Sequence, residues 1–574
     1  MTYTPPIEEQ KFVLRHVAGI AELGGANAFP EASLDVVDAI VEGAGAFAAG
    51  EWAPLNRTGD TIGARWTPEG VTLPEGFREA YRAYVEGGWG TLSGPVSHGG
   101  QGLPQTLATI VLENLGAANM AFSLCPMLSA GAVEALKHHG TAQQQDEWLP
   151  RLISGEWTGT MNLTEPQAGS DVGALKTRAE PAGEGVFRIK GQKIFITFGE
   201  HDLADNIVHL VLARLPDAPA GTRGISLFLV PKVRLDGTPN DVRCVSIEHK
   251  LGIHASPTCV MAFGDDDACE GELIGPPHGG MRAMFTMMNN ARMNVGLQGV
   301  SIAERATQHA VNYARGRVQS ARAGGAGREA VAIIEHPDVR RMLLRMKALT
   351  QGARALTYYM AGLVDRASLG DEAAAARVQL LTPLVKSWGT DVGCEVASLG
   401  VQVHGGMGFI EETGAAQHVR DIRIAPIYEG TNGIQAADLV MRKLGLDGGA
   451  ALDALLGDIR ASREGCYVDD LLAAVEEVSA HMGHASADDR LAGSYPMLTM
   501  MSVLVAGWLM ARQEAIADRM LATGEGDPMF LGMKLAAAGY FRTAVVGEAV
   551  GLKAAATNVG ESLLYAMPAE AFAA

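Results

Sequence analysis

One carboxylate has the most pointed setting in the chain. Glu429 lies in the run Ile427-Tyr-Glu-Gly-Thr-Asn-Gly-Ile-Gln435, with apolar Ile427 and Tyr428 before it and Gly430 after it. Thr431 and Asn432 are helix-capping types. Behind them Ile434, Ala437, Leu439 and Val440 recur at helical spacing, which predicts a helix opening just past the carboxylate. A Glu at a helix mouth with apolar neighbours suits a base whose pKa burial has raised, and the N–H groups of the mouth suit an anionic ligand. The same placement serves equally well a Glu that only opposes the helix macrodipole. The local pattern leaves both roles open.

Wider motifs bear on the choice. Gln402-Val-His-Gly-Gly-Met-Gly-Phe409, Arg420-Asp-Ile-Arg423 and Ile427-Tyr-Glu-Gly-Thr431 together resemble the C-terminal half of the acyl-CoA dehydrogenase family of flavoenzymes. Upstream, Met161-Asn-Leu-Thr-Glu-Pro-Gln-Ala-Gly-Ser-Asp171 is similar to that family's flavin and substrate signature, and Lys193-Ile-Phe-Ile-Thr-Phe-Gly199 to the strand that follows it. Three motifs in this order across roughly 280 residues are far more specific than one Gly-rich loop.

The resemblance implies FAD-dependent α,β-dehydrogenation of an acyl-CoA thioester. In the family pattern Glu429 takes the α-proton and the flavin accepts the β-hydride. The backbone N–H of Glu429 and a flavin hydroxyl polarise the thioester carbonyl, as an oxyanion hole does. A carboxyl near its aqueous pKa of ~4.3 is a weak base at neutral pH, so substrate must desolvate it. By the same resemblance Leu163 (through its backbone), Thr164, Phe195 and Thr197 contact flavin, and Ser170 contacts flavin or substrate. Arg317, Gln319 and Thr431 fall at flavin positions, with Arg317 and Thr431 facing the pyrophosphate. Gln402 and Gly406 reach the flavin of a neighbouring subunit, and Arg292 and Gly430 lie beside the substrate. An electron-transfer flavoprotein is the implied electron acceptor, and a homo-oligomer, at least a dimer, the implied assembly. Two positions depart from the pattern. Phe195 stands where many members have Trp, which keeps a stacking face without an indole N–H. Ser320 follows Gln319 where many have Phe.

The elements that must position these residues fall into four expected segments. Residues 1–155 read as an N-terminal helical domain, with Phe12, Val13, Val17 and Ile20 at helical spacing. Glycine-rich turns at Gly87–Gly90 and His98–Gly102 interrupt it without the Lys-Ser/Thr ending of a phosphate loop. Over 156–275 the period becomes two. A hairpin is expected from Val186 to Thr197 with its turn at Gly191-Gln192, and further strands at Ile207–Leu215, Gly224–Val230 and Cys259–Phe263. Residues 276–445 return to helical period, with Val339, Met342, Leu343, Met346, Leu349, Leu356 and Leu363 forming a bundle-type stripe. Within this segment Ser320–Glu329 reads as a flexible inserted loop. Residues 446–574 form an extra helical domain after a Gly-rich linker. The fold class is therefore mainly α with a small β domain. The family plan adds detail: a helical N-terminal domain, a β-barrel-like middle domain and a C-terminal four-helix bundle, here with a C-terminal helical extension. Such an appendix marks an extended subgroup that includes 3-methylmercaptopropionyl-CoA dehydrogenases, and the opening Tyr3-Thr-Pro-Pro-Ile-Glu-Glu resembles theirs. That points, within the family, to short- or medium-chain or 3-methylthiopropionyl thioesters, the latter a product of dimethylsulfoniopropionate catabolism.

Composition sets the bounds. A formal net charge of −19 disfavours a nucleic-acid surface, which needs clustered Lys and Arg. Six scattered cysteines without a CxxC spacing disfavour a zinc site or a disulfide framework and fit a reducing cytoplasm. The first residues show no secretory signal or presequence character. Pro496–Ala511 is uncharged but shorter than the roughly 18–20 residues of a spanning helix, so a buried helix is expected and no membrane span. Two other functions share the fold: a flavin oxidase, which oxygen consumption would reveal, and a flavin-bearing DNA-associated protein. The second would want a basic C-terminal block, whereas acids outnumber bases there.

Overall fold

The computed structural model describes residues 3–25, 28–183, 185–325, 327 and 329–573. The chain forms two compact units. One comprises Met1–Pro5 with Glu42–Asn294, the other Pro6–Val41 with Val295–Ala574.

The first unit combines helices with a sheet. Its strands are β1 (Arg65–Thr67), β2 (Gly70–Thr72), β3 (Trp157–Asn162), β4 (Arg178–Pro181), β5 (Val186–Thr197), β6 (Asn206–Arg214), β7 (Ile225–Pro231), β8 (Val242–Ile247), β9 (Thr258–Phe263) and β10 (Glu270–Ile274). β1 and β2 form a small hairpin inside the segment expected to be helical. The remaining strands run in the order β10-β7-β6-β4-β5-β9-β8, with β3 parallel beside β6. β10 also pairs with β5, so β10, β7, β6, β4 and β5 close into a ring and β10 is no longer an edge, while β8 stays at one.

Alternation along β6 and β7 serves two cores. Val208, Leu210, Leu212, Leu227 and Leu229 pack with Leu136 and Leu149, from helices Met120–His139 and Ala142–Ser154, and with Met284 and Met287 from Gly280–Gly316. Val211, Ala213, Phe228 and Val230 turn to the barrel side with Ile189, Met261 and Phe263. Burial on both faces explains why β6 reads as a continuous apolar run.

The expected hairpin at 186–197 is a single strand, β5. Gly191 is not a turn residue. A Cβ there would lie 2.3 Å from Thr177 Oγ1 and 2.8 Å from Thr177 Cα, so glycine permits close passage of β4's approach. The irregularity comes later, as a bulge between Lys193 and Ile196 with Phe195 at φ 59°.

The second unit is helical. Helices Pro337–Ser368 and Glu372–His404 pack along their lengths, broken from one another at Leu369–Asp371 where Gly370 takes φ 93°. Close crossing of Glu372–His404 by the 295–316 part of helix Gly280–Gly316 depends on glycines. A Cβ on Gly299 would lie 1.9 Å from Gly389 O, and one on Gly296 2.4 Å from Val385 O. Helix Ser494–Thr523 contains the uncharged stretch and packs against both long helices; 83% of its apolar window is buried in the fold, the setting of a core helix. Two buried ionic groups tie this unit together. Lys534 donates to Glu9 at 2.9 Å and to Gln513 at 2.6 Å, and Arg354 to Glu304 at 2.8 Å. Burial would raise the Glu304 carboxyl, but the Lys347 and Arg354 charges hold it at about 2.

Candidate active site

Leu163, Thr164, Phe195 and Thr197 come together in the first unit through one buried clamp. After β3 the chain makes a tight turn, with Glu165 N donating to Ala168 O and Ala168 N to Glu165 O. The Glu165 carboxylate, 3% exposed, accepts from Lys176 N at 2.6 Å, Thr177 N at 3.0 Å, Thr177 Oγ1 at 2.6 Å and Lys193 Nζ at 2.8 Å. Lys193 Nζ also donates to Leu163 O at 3.0 Å, and Ile194 N donates to Thr164 O at 2.9 Å. Residues 163–177 are thereby stitched to the bulged end of β5. Burial opposes ionisation of Glu165, but the Lys193 charge and these donors hold its carboxyl down at about 2; burial draws Lys193 down to about 8.

The bulge gives this clamp its outcome. With Lys193 facing inward at 0% exposure, the irregular step turns Phe195 outward at 57% exposure while Ile196 returns to the core. Phe195 thus presents an open aromatic face, and Thr164 and Thr197, both half-buried, lie one and two residues along the chain from Leu163 and Phe195; a stacking face and two hydroxyl residues are types that suit a flat heterocycle with polar edges. Ser170 lies farther along the same loop and is exposed. Arg214 pins that region, donating to Leu175 O at 3.1 Å, Pro219 O at 3.0 Å and Gly221 O at 2.9 Å. Arg292 is buried near the end of this unit, its guanidinium 5.9 Å from the Phe285 ring and 3.5 Å from Asn289 Oδ1. The cavity lined by Tyr84, Ser93, Gln105, Ser129, Glu134 and Asn290 measures about 40 Å³, room for a few waters and not for an acyl chain.

Glu429, Gly430 and Thr431 belong to the second unit. Ile427 N and Tyr428 N both donate to Ile424 O, and Asn432 N donates to Pro426 O at 3.0 Å, which closes a short loop with Glu429 at its top. Glu429 and Gly430 take successive left-handed conformations, φ 56° and 82°. A non-glycine residue held there stores backbone strain of the kind found at functional positions. Tyr428 is anchored by its hydroxyl to Gln298 Oε1, and burial pushes its phenol above the usual range. The glycine crossing at 296 and 299 brings Gln298 into reach. Thr431 caps the expected helix, Asn432–Asp438, by accepting from Ile434 N at 3.1 Å, leaving its hydroxyl hydrogen to donate elsewhere.

Arg317 and Gln319 are exposed after helix Gly280–Gly316. Their backbone is fixed: Ile333 N donates to Arg317 O at 2.7 Å and Gln319 N to Val331 O at 3.0 Å. The inserted loop therefore springs from a paired base, Val318 opposite Ala332, with Ser320 at φ 57°; positions 326 and 328 of that loop lie outside the described residues. Gln402 is exposed on the last turn of Glu372–His404, and Gly406 is exposed just beyond it. Sequence reasoning missed the Lys193–Glu165 clamp, although both residues stand inside its motifs, and the Gln298 anchor of Tyr428.

Comparison with known proteins follows this geometry. Family profiles match in chain order: acyl-CoA dehydrogenase N-terminal domain over residues 37–156, middle domain over 160–265, and C-terminal domain over 278–444. A profile described as acetyl-CoA dehydrogenase C-terminal like matches 453–567. The chain is 46% identical to 3-methylmercaptopropionyl-CoA dehydrogenase of Ruegeria pomeroyi, covering 99% of this chain and 100% of that one. It is 35% identical to a butyryl-CoA dehydrogenase of Syntrophomonas wolfei, covering 99% of each. Among solved structures, an acyl-CoA dehydrogenase from Bacillus anthracis complexed with FAD shares the fold, with TM-score 0.74 and 22% identity over 95% of this chain and 91% of that one.

Proposed function

The chain belongs to the acyl-CoA dehydrogenase family, and from that premise we propose that Glu429 is the base of its reaction. Its activity is FAD-dependent α,β-dehydrogenation of an acyl-CoA thioester, an oxidation of a CH–CH bond. The observation that carries the proposal is the loop at 426–432. A carboxylate kept in a left-handed conformation, between an anchored Tyr428 and a capped helix start, is costly to maintain for dipole balance alone.

In this reading a Glu429 oxygen takes the α-proton while the β-hydrogen leaves with its electron pair and the Cα–Cβ double bond forms. FAD, when bound, supplies the two-electron acceptor. Leu163, Thr164, Phe195 and Thr197 would hold its ring, and the exposed aromatic face of Phe195 suits that group. Arg317, Gln319 and Thr431 would hold the pyrophosphate end, where a guanidinium and a free hydroxyl hydrogen match an anion. Ser170, Arg292 and Gly430 are the expected substrate neighbours. The Glu429 N–H donates to the thioester carbonyl and so acidifies the α-carbon.

Full-length identity of 46% to a 3-methylmercaptopropionyl-CoA dehydrogenase favours a 3-methylthiopropionyl or other short acyl thioester and a place in dimethylsulfoniopropionate catabolism. Exposure of Gln402 and Gly406 in one chain is consistent with service to a second subunit's flavin, hence a homodimer. An electron-transfer flavoprotein is the proposed acceptor of the electrons. Six scattered cysteines without a CxxC spacing suit a cytoplasmic protein.

The deciding experiment is Glu429→Gln, which keeps size and a hydrogen-bonding head but removes the proton acceptor. Anaerobic bleaching of the flavin by short acyl-CoA thioesters should slow by about 10²–10⁴-fold, with flavin content and thioester binding retained. Bleaching at the parental rate would remove Glu429 from the role.

A further inference from the structure

The loop that carries Glu429 has a footing at Asn432, and that footing connects to the C-terminal extension. Asn432 N closes the loop on Pro426 O at 3.0 Å. Its side chain, 3% exposed, is held by helix Glu372–His404 on both sides of the amide. Nδ2 donates to Asp391 Oδ1 at 2.9 Å, Thr390 Oγ1 at 3.0 Å and Ser387 O at 3.2 Å, while Oδ1 accepts from Lys386 Nζ at 2.8 Å. The other Asp391 oxygen, Oδ2, accepts from the Tyr495 phenol at 2.7 Å. Tyr495 lies in the first turn of helix Ser494–Thr523, beyond residue 445, and that helix packs directly on both Glu372–His404 and Asn432–Asp438. Burial raises the Asp391 carboxyl, and the Tyr495 and Asn432 bonds draw it back, so each contact bears on its charge.

We propose that Tyr495 and Asp391 are positioning residues for Glu429: the extension sets where the base stands, through the hydrogen-bond chain Tyr495–Asp391–Asn432. The inference rests on the reading of Glu429 as base. Its physical content is that Asp391, a charged acceptor on the Nδ2 side, tightens the Asn432 amide against Lys386 on the Oδ1 side. Tyr495, by occupying the second oxygen, keeps the carboxylate turned that way. If the chain loosens, the loop top shifts and carries the Glu429 carboxylate with it, while the acyl-CoA contacts made by other residues persist. A shift of order 1 Å at a reacting group can cost about 10²-fold in rate.

The test measures the limiting rate of anaerobic flavin reduction in the holoenzyme by a short acyl-CoA, beside KM, flavin content and melting temperature. Tyr495→Phe removes one oxygen from a residue 38% exposed, so folding is retained. It should slow reduction about 10-fold with the other three readings unchanged. Asp391→Asn presents an N–H to one of its two donors and should slow reduction further. The double variant should lose little beyond Asp391→Asn alone, because Tyr495 acts chiefly through Asp391. Trp508→Phe, on the same helix as Tyr495, removes the bond from Trp508 Nε1 to Ser462 Oγ and should leave the rate unchanged. Parental reduction by Tyr495→Phe while Glu429→Gln is slow overturns the positioning role and spares the base. Parental reduction by Glu429→Gln overturns the base reading itself. Additive losses in the double variant, or equal slowing by Trp508→Phe, reduce the chain to a structural tie and also overturn it. Should Asp391→Asn not fold, Tyr495→Phe against Trp508→Phe decides.

Discussion

Replacing Lys193 with Met tests whether the first unit's flavin face is assembled by the clamp described above. Lys193 and Glu165 are 0% and 3% exposed, and the ammonium bonds both the carboxylate and Leu163 O. Met approximates the stem but leaves Glu165 a buried anion without its counter-ion. Breaking one half of such a pair costs about 3–5 kcal/mol. At about 2–4 °C per kcal/mol for a unit of this size, melting should drop by roughly 6–20 °C in scanning calorimetry. Flavin retention should fall as well, because residues 163–177 lose their tie to β5. The acid limb supplies a second reading. A carboxyl depressed in the folded state contributes stability that is present above its unfolded value and lost as pH falls toward the folded one. The parent should therefore lose about 3 kcal/mol between pH 4.5 and about 2 from this group, a loss that Glu165→Gln would not show. A Lys193→Met protein that melts like the parent and keeps its flavin would refute the clamp.

Other outcomes follow from the same contacts. Gly299→Ala would place a Cβ 1.9 Å from Gly389 O, forcing two helices apart at the level of Gln298; a loss of about 1–3 kcal/mol or more is expected in denaturant melts, with slower turnover as Tyr428 loses its anchor. Lys534→Met leaves Glu9 without its nearest cation at a fully buried site and should cost about 3–5 kcal/mol, read by the same melts. Light scattering should find at least a dimer, and Gln402→Ala should lower flavin occupancy without altering subunit folding; a monomer with full flavin would overturn the assembly.

How much was legible depended on the distance over which each feature is determined. The Thr431 cap, the helical stripes and the apolar helix 494–523 are local matters of periodicity and capping, and they appear as the residues dictate. The motif around Glu429 was likewise readable. Whether that Glu is a helix cap or a base was not, since the features that support the proposed base, its left-handed backbone and the Gln298 bond to Tyr428, 130 positions away, are made by the fold. The misread strand has the same origin. A glycine in a strand looks like a turn from sequence, and only the passage of Thr177 against Gly191 explains why the chain continues straight. Lys193 and Glu165 each look like ordinary surface charges; closure of the barrel buries both, and a buried charge must find its partner through space. Tyr495 and Asp391 lie 104 residues apart and meet only because helix Ser494–Thr523 packs on Glu372–His404. Composition and periodicity thus determined which elements form, because those depend on neighbours along the chain. The tertiary fold alone decided which side chains lock the loops that carry the chemistry, because hydrogen bonds and ion pairs of that kind are made by packing.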